Sequence, residues 1–199
     1  MNIFALYKCP VKSAQHMIDK HVVKMPTESC QMLHTNALHY RFVCEKGFEP
    51  SLRQLKEFHT EIGSHLMKPA MLNHPSTIWA RESPANARWL YTHSIALCEE
   101  YTGRYNKTHG SEKRILDTPQ DLMEHEGELT VLRIAMADGY RIPVEDEYDW
   151  DYVIKSYRHY YLEGKYDFAT WKRNRPDWFP ADWAKQKYEQ QMKKWRNMK

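Results

Sequence analysis

Apolar residues recur at helical spacing along most of the chain. Residues 13–25, wound at 3.6 residues per turn, put Ile18, Val22 and Met25 on one side and His16, Lys20 and Lys24 on the other. Ser13 is the expected cap of this first helix. The apolar stretch 2–7, N-I-F-A-L-Y, reads as a brief strand or an extended arm that Pro10 ends. Pro26 predicts a boundary or a kink, because it removes a backbone donor and suits the first turn of a following helix. That next helix is expected over 27–43, with Cys30, Leu33, Ala37 and Leu38 inward and Gly47 and Pro50 closing it.

Beyond Ser51, the spacing of Leu52, Leu55, Phe58, Ile62 and Leu66 predicts a third helix that Pro69 stops. Residues 72–84, L-N-H-P-S-T-I-W-A-R-E-S-P, lack a clean period and read as a segment held by tertiary contacts. The clearest helix spans 84–105. Ser83 caps it, Pro84 takes its first position, and Ala87, Leu90, Tyr91, Ser94, Leu97, Cys98 and Tyr101 form an inward stripe, with Asn86 and Arg88 flanking it. Glycines and prolines break 106–147 into an irregular insertion whose most helical part is 129–135. A helix returns over 150–162 with a broad aromatic face, 166–180 reads as a loop, and a basic amphipathic helix covers 181–197 with Trp183, Tyr188, Met192 and Trp195. The expected fold is therefore mainly α: one compact helical domain over 1–199 with an extended N-terminal arm and a basic C-terminal helix.

Composition narrows the function classes. At 199 residues the chain can bury a core without staples. Its four cysteines show no C-x-x-C spacing and read as free thiols of a reducing compartment, and no signal peptide or long apolar run appears. A cytoplasmic protein with no membrane partner is the expectation. No glycine-rich phosphate loop and no G-x-S-x-G elbow occurs, which argues against nucleotide-dependent kinases, dinucleotide oxidoreductases and serine hydrolases. No cofactor is expected. No metal is expected either: H-E-x-x-H is absent, and His16 and His21 are wrongly spaced for one helix face.

The net charge of +3 is modest, but Lys185, Lys187, Lys193, Lys194, Arg196 and Lys199 crowd the tail against Glu189, while 145–151 is acidic. Many aromatic residues adjoin cations, as at Arg88-Trp89, Tyr157-Arg158 and Trp171-Lys172-Arg173. Planes beside cations suit a polyanion with bases to stack, so DNA is the expected partner. Within the first helix, two lysines one turn apart repel, and each makes its neighbour easier to deprotonate. Lys24 or Lys20 is thus a candidate amine nucleophile, Glu28 or Asp19 its carboxylate, and His16 or His21 its proton carrier. His74 and Arg158 are further candidates for DNA contact, Arg81 and Lys172 would hold phosphates, and Trp79, Tyr157 and Trp171 would replace the stacking of an extruded base.

Three patches in order carry a resemblance: the arm with Gln15-His16 and Pro26; Asn73-His74 through Ile78 and Trp79 to Cys98 and Glu99; and Tyr157-Arg158-His159-Tyr160-Tyr161 with Gly164-Lys165. In these the chain resembles the phage pyrimidine-dimer DNA glycosylases. The resemblance implies cleavage of an N-glycosidic bond in DNA through a covalent imine, then strand scission. It implies the N-terminal α-amine as nucleophile and a glutamate in the first long helix as its support. This sequence departs at both: Asn2 is bulky for removal of Met1, which would leave the free amine on Met1, and Val23 or Lys24 stands where the glutamate belongs. Of the first helix only His16 carries over directly. Two other classes stay open: an enzyme that modifies a DNA base or nucleotide without excision, and a DNA-binding accessory protein without activity.

Overall fold

The computed structural model describes residues 2–143 and 147–197, with the side chains of Trp183, Ala184, Gln186, Lys187, Gln190, Gln191 and Lys194 outside that set. Eight α-helices follow in order among these residues: α1 (Pro10–Gln15), α2 (Asp19–Lys46), α3 (Leu52–Glu61), α4 (Pro75–Glu82), α5 (Pro84–Tyr105), α6 (Glu112–Leu116), α7 (Trp150–Gly164) and α8 (Trp183–Asn197). No strand occurs among them. The protein is mainly α, as its periodicity predicts.

The N-terminal arm is extended and threads into the core. Ile3, Phe4, Ala5 and Leu6 are all buried, and covering each large side chain is worth about 1.5–3 kcal/mol, which offsets the ordering of a chain end. Ser13 is no helix cap. Its hydroxyl donates to the Phe4 carbonyl and accepts from the Leu6 N–H, both at 3.0 Å, so it fastens the arm to α1 instead. The single helix expected over 13–25 is accordingly two, broken at 16–18, with Pro10 starting the first.

Pro26 breaks nothing: α2 runs through it to Gly47, whose φ of 77° ends the helix in the left-handed region that glycine favours. The turn around a helical proline leaves carbonyls short of donors, and the His109 ring bonds the Val23 carbonyl at 3.0 Å. α3 stops at Glu61, earlier than Pro69, and opens on a full capping box between Ser51 and Gln54. α5 has the predicted limits and cap, and α1, α2, α4 and α6 all pack against it.

Two other expectations need correcting. The segment read as irregular contains α4, started by Pro75 with the His74 ring accepting from the Ser76 N–H. Residues 129–135, read as the most helical part of the insertion, carry no regular structure. Side chains claim their backbone: Asn86 Oδ1 accepts from Thr130 N–H, Trp79 donates to Thr130, Tyr148 bridges Leu132 and Ile134, and Ala135 donates to the Tyr157 hydroxyl. Those partners replace the helical ladder. On α8 the aromatic residues Tyr188 and Trp195 are exposed, while the expected inward Trp183, the basic Lys187, Lys194 and Lys199, and residues 144–146 of the acidic run lie outside the described side chains.

Candidate functional site

The second residue and the second turn of α2 meet at one carboxylate. Glu28 Oε2 accepts the backbone N–H of Asn2 at 3.1 Å, and Oε1 pairs with Lys24 Nζ at 2.9 Å, one helical turn away. Glu28 is 16% exposed and Lys24 68%, so the carboxylate is recessed while the amine reaches outward. Asn2 is held there from three directions. Its amide donates to the Ala135 carbonyl at 2.8 Å, and its Oδ1 accepts from the Tyr157 hydroxyl at 2.9 Å and from the Ile3 N–H at 2.8 Å.

Electrostatics tie two histidines to this point. His74 caps α4 through Nδ1, which fixes the neutral ring with its proton on Nε2. Burial lowers its pKa, the positive charge at the start of the chain adds to that, and Glu28 opposes both. His21 is stacked on Phe4 at 4.1 Å and shares a 2.7 Å hydrogen bond with the Tyr161 hydroxyl. Burial first, then the charges of Lys165 and Lys24, push its pKa down to about 3.

These placements sort the expected catalytic residues. Lys24 and Glu28 stand together. Lys20, one turn before Lys24, is exposed, with Nζ 4.5 Å from the centre of the Phe168 ring. Asp19 is engaged elsewhere, accepting from Arg104 Nη1 at 2.8 Å and from the Lys172 N–H at 3.1 Å. His16 ends α1 and bonds the Lys12 carbonyl at 2.8 Å, and its ring lies on Tyr7. His21 is a core partner of Phe4 and Tyr161, and burial favours its neutral ring.

The expected DNA contacts divide likewise. Trp79 and Tyr157 have no exposed surface, so neither can stack on an extruded base. Trp79 packs edge-on against Trp89 and Trp150, and Tyr157 fixes Asn2. Half-buried Arg81 spends Nη1 on the Leu72 carbonyl at 2.6 Å. Arg158 donates to the Leu6 carbonyl at 3.0 Å between the rings of Tyr7 and Trp178. Trp171 donates to the His16 carbonyl at 2.9 Å and packs on Phe179. Exposed Lys172 lies over Tyr105.

Sequence reasoning missed Asn2, whose partners lie 26, 133 and 155 positions away, and no local pattern marks such a residue. Two cavities, of about 560 Å³ beside 142–155 and about 390 Å³ between α2 and 62–66, open elsewhere and include none of Asn2, Lys24, Glu28 or His74 in their walls. Among the described residues no group of three or more His, Cys, Asp or Glu side chains is placed to hold a metal. No described helix is long and apolar enough to cross a membrane.

The sequence model of a family described as pyrimidine dimer DNA glycosylase matches residues 1–113. Comparison with curated proteins and with solved structures gives no match.

Proposed function

The chain belongs to the pyrimidine dimer DNA glycosylase family, a family of DNA-acting enzymes, and from that premise we propose that Glu28 is the acid–base centre of an amine-driven cleavage of an N-glycosidic bond in DNA. One observation carries this reading: a recessed carboxylate with a lysine on one oxygen and the nitrogen of the second residue on the other. The family resemblance calls for a glutamate in the first long helix. Glu28 supplies it one turn later than sequence position suggests.

In the proposed reaction the Lys24 amine, after losing a proton to solvent, attacks C1′ of the nucleotide. The glycosidic electron pair leaves with the base, which takes up a proton from solvent. Glu28 receives a proton from the attacking nitrogen and delivers one to the ring oxygen as the sugar opens to the protonated imine. Loss of a C2′ proton then expels the 3′ phosphate. His74, a neutral ring with its proton on Nε2, suits a hydrogen bond to a carbonyl of the departing pyrimidine.

A second amine has its own supporting observation. The Asn2 N–H donates to Glu28 at 3.1 Å, one residue along the chain from the N-terminal α-amine that the resemblance implies as nucleophile. Borohydride trapping on ultraviolet-irradiated and abasic DNA, followed by peptide mass mapping, tests both. An adduct on the Lys24 peptide that Lys24→Ala abolishes supports the first reading, and an adduct on the N-terminal peptide supports the second. Absence of an adduct with every substrate removes the imine mechanism.

A further inference from the structure

The family match ends at residue 113, yet the segment 165–174 is fastened to the first turn of α2, beside the candidate site. The Asp19 N–H donates to the Thr170 carbonyl at 2.8 Å, and Asp19 Oδ1 accepts from the Lys172 N–H at 3.1 Å. Trp171 donates to the His16 carbonyl at 2.9 Å. Arg173 forks onto Glu100 at 3.1 and 2.9 Å, and Asn174 adds contacts to the same carboxylate at 3.2 and 3.3 Å. The guanidinium of Arg173 lies across Gly103, where any Cβ would collide with it. Five residues thus pin a loop that sequence reasoning treats as a simple connection.

What the pinned loop displays is positive charge. Lys165 Nζ stands 4.5 Å from the Tyr160 ring and 5.7 Å from the Phe168 ring, and Lys20 Nζ stands 4.5 Å from the same Phe168 ring. Two ammonium groups from distant parts of the chain therefore share one aromatic seat. Among the described residues neither has a carboxylate partner, whereas Lys24, one turn along from Lys20, is paired with Glu28. The charges of Lys24 and Lys165 both reach the buried His21 ring, so the amine paired with Glu28 and the one over Phe168 act on a common neighbour. Like charges gathered without counter-charge are unfavourable in the free protein and favourable once an anion lies across them.

We infer that Lys20 and Lys165, set on Phe168, are a phosphodiester seat that grips the DNA backbone beside Glu28. The inference rests on the reading of Glu28 as the DNA-cleaving site, because it takes DNA as the occupant. Phe168 holds the two tips through cation–π contacts, so the seat is formed before DNA arrives. The pinned loop supplies rigidity that exposed lysines on a free loop lack. The seat carries no sequence information and fixes register on the strand, as phosphate contacts do.

Binding of an intact, lesion-free duplex, measured by fluorescence anisotropy across a salt series, tests the seat without requiring cleavage. For K20A/K165A the slope of log K against log salt becomes less steep by about 0.9, the value for one lost phosphate contact, while K20R/K165R keeps the parental slope. Lys56→Ala, on the exposed face of α3, leaves the slope unchanged. If the parent protein binds and K20A/K165A, shown folded by circular dichroism, keeps the parental slope, the seat is refuted. If the slope falls as expected but no borohydride adduct forms on any substrate, the seat stands and the imine mechanism fails.

Discussion

At the scale of the residue, two buried histidines give the protein a measurable acid sensitivity. His93 is fully buried against Trp89, neither ring nitrogen has a protein partner among the described residues, and burial pushes its pKa down to about 3. His21 is depressed to a similar value. In the unfolded chain both rings take up protons near pH 6.5, whereas in the folded chain they resist until about pH 3, so the unfolded state binds more protons between those limits. Their contribution to stability is complete above pH 6.5 and is lost as pH falls, by up to about 1.4 kcal/mol per pH unit for each ring. Urea unfolding between pH 7 and pH 4 measures this, and His93→Phe flattens the dependence; an unchanged slope in that variant contradicts the assignment. The same desolvation favours the neutral ring of His21 in the core, although its place among lysines in the sequence suggests a proton carrier.

At the scale of the element, the ion network under the pinned loop ties it to α1, α2 and α5 through Glu100, Arg104 and Asp19. Burial raises the Glu100 carboxyl, but hydrogen bonds and charge from Arg173 and Arg104 outweigh it and leave the pKa below the usual carboxylate range. Arg104, with no exposed side-chain surface, joins Glu100, Asp19 and the Gln15 carbonyl. Arg104→Met strands part of that buried charge and is expected to cost about 3–5 kcal/mol in chemical denaturation, far more than an exposed pair such as Arg53–Glu57 is worth. A cost near that of Arg53→Met would show that the network is not the anchor described.

Elements were legible in the sequence where local chemistry decides them. Ser83 and Pro84 at the head of α5, and Ser51 with Gln54 at the head of α3, set helix starts by satisfying or omitting backbone donors within one turn. They were illegible where distant groups decide. Ser13 has the chemistry of a cap but bonds the arm, Pro26 lies inside α2, and 129–135 gives up a helical ladder to side chains from α4, α5 and 148–157. The candidate site follows the same division. Lys24 and Glu28 are one turn apart and could be read as a pair, while the approach of Asn2 depends on Ala135 and Tyr157. Aromatic residues misled for a related reason: composition cannot separate a ring that packs inward, as Trp79 does, from one offered to a base.

At the scale of the whole molecule, the N-terminal arm, α2 and α4 bring the candidate chemistry together within the region the family match covers, and the later chain contributes the ring that fixes Asn2 and a basic flank. That arrangement predicts a separation of functions: changes at Glu28 reduce chemistry, and changes at Lys20 and Lys165 reduce binding. Glu28→Gln keeps the shape of the side chain and removes its charge. The most direct measurement is single-turnover cleavage of ultraviolet-irradiated duplex by this variant, with duplex affinity measured in parallel. The account predicts a rate lower by about 10²–10⁴-fold with affinity retained. A Glu28→Gln protein that cleaves at the parental rate would contradict it.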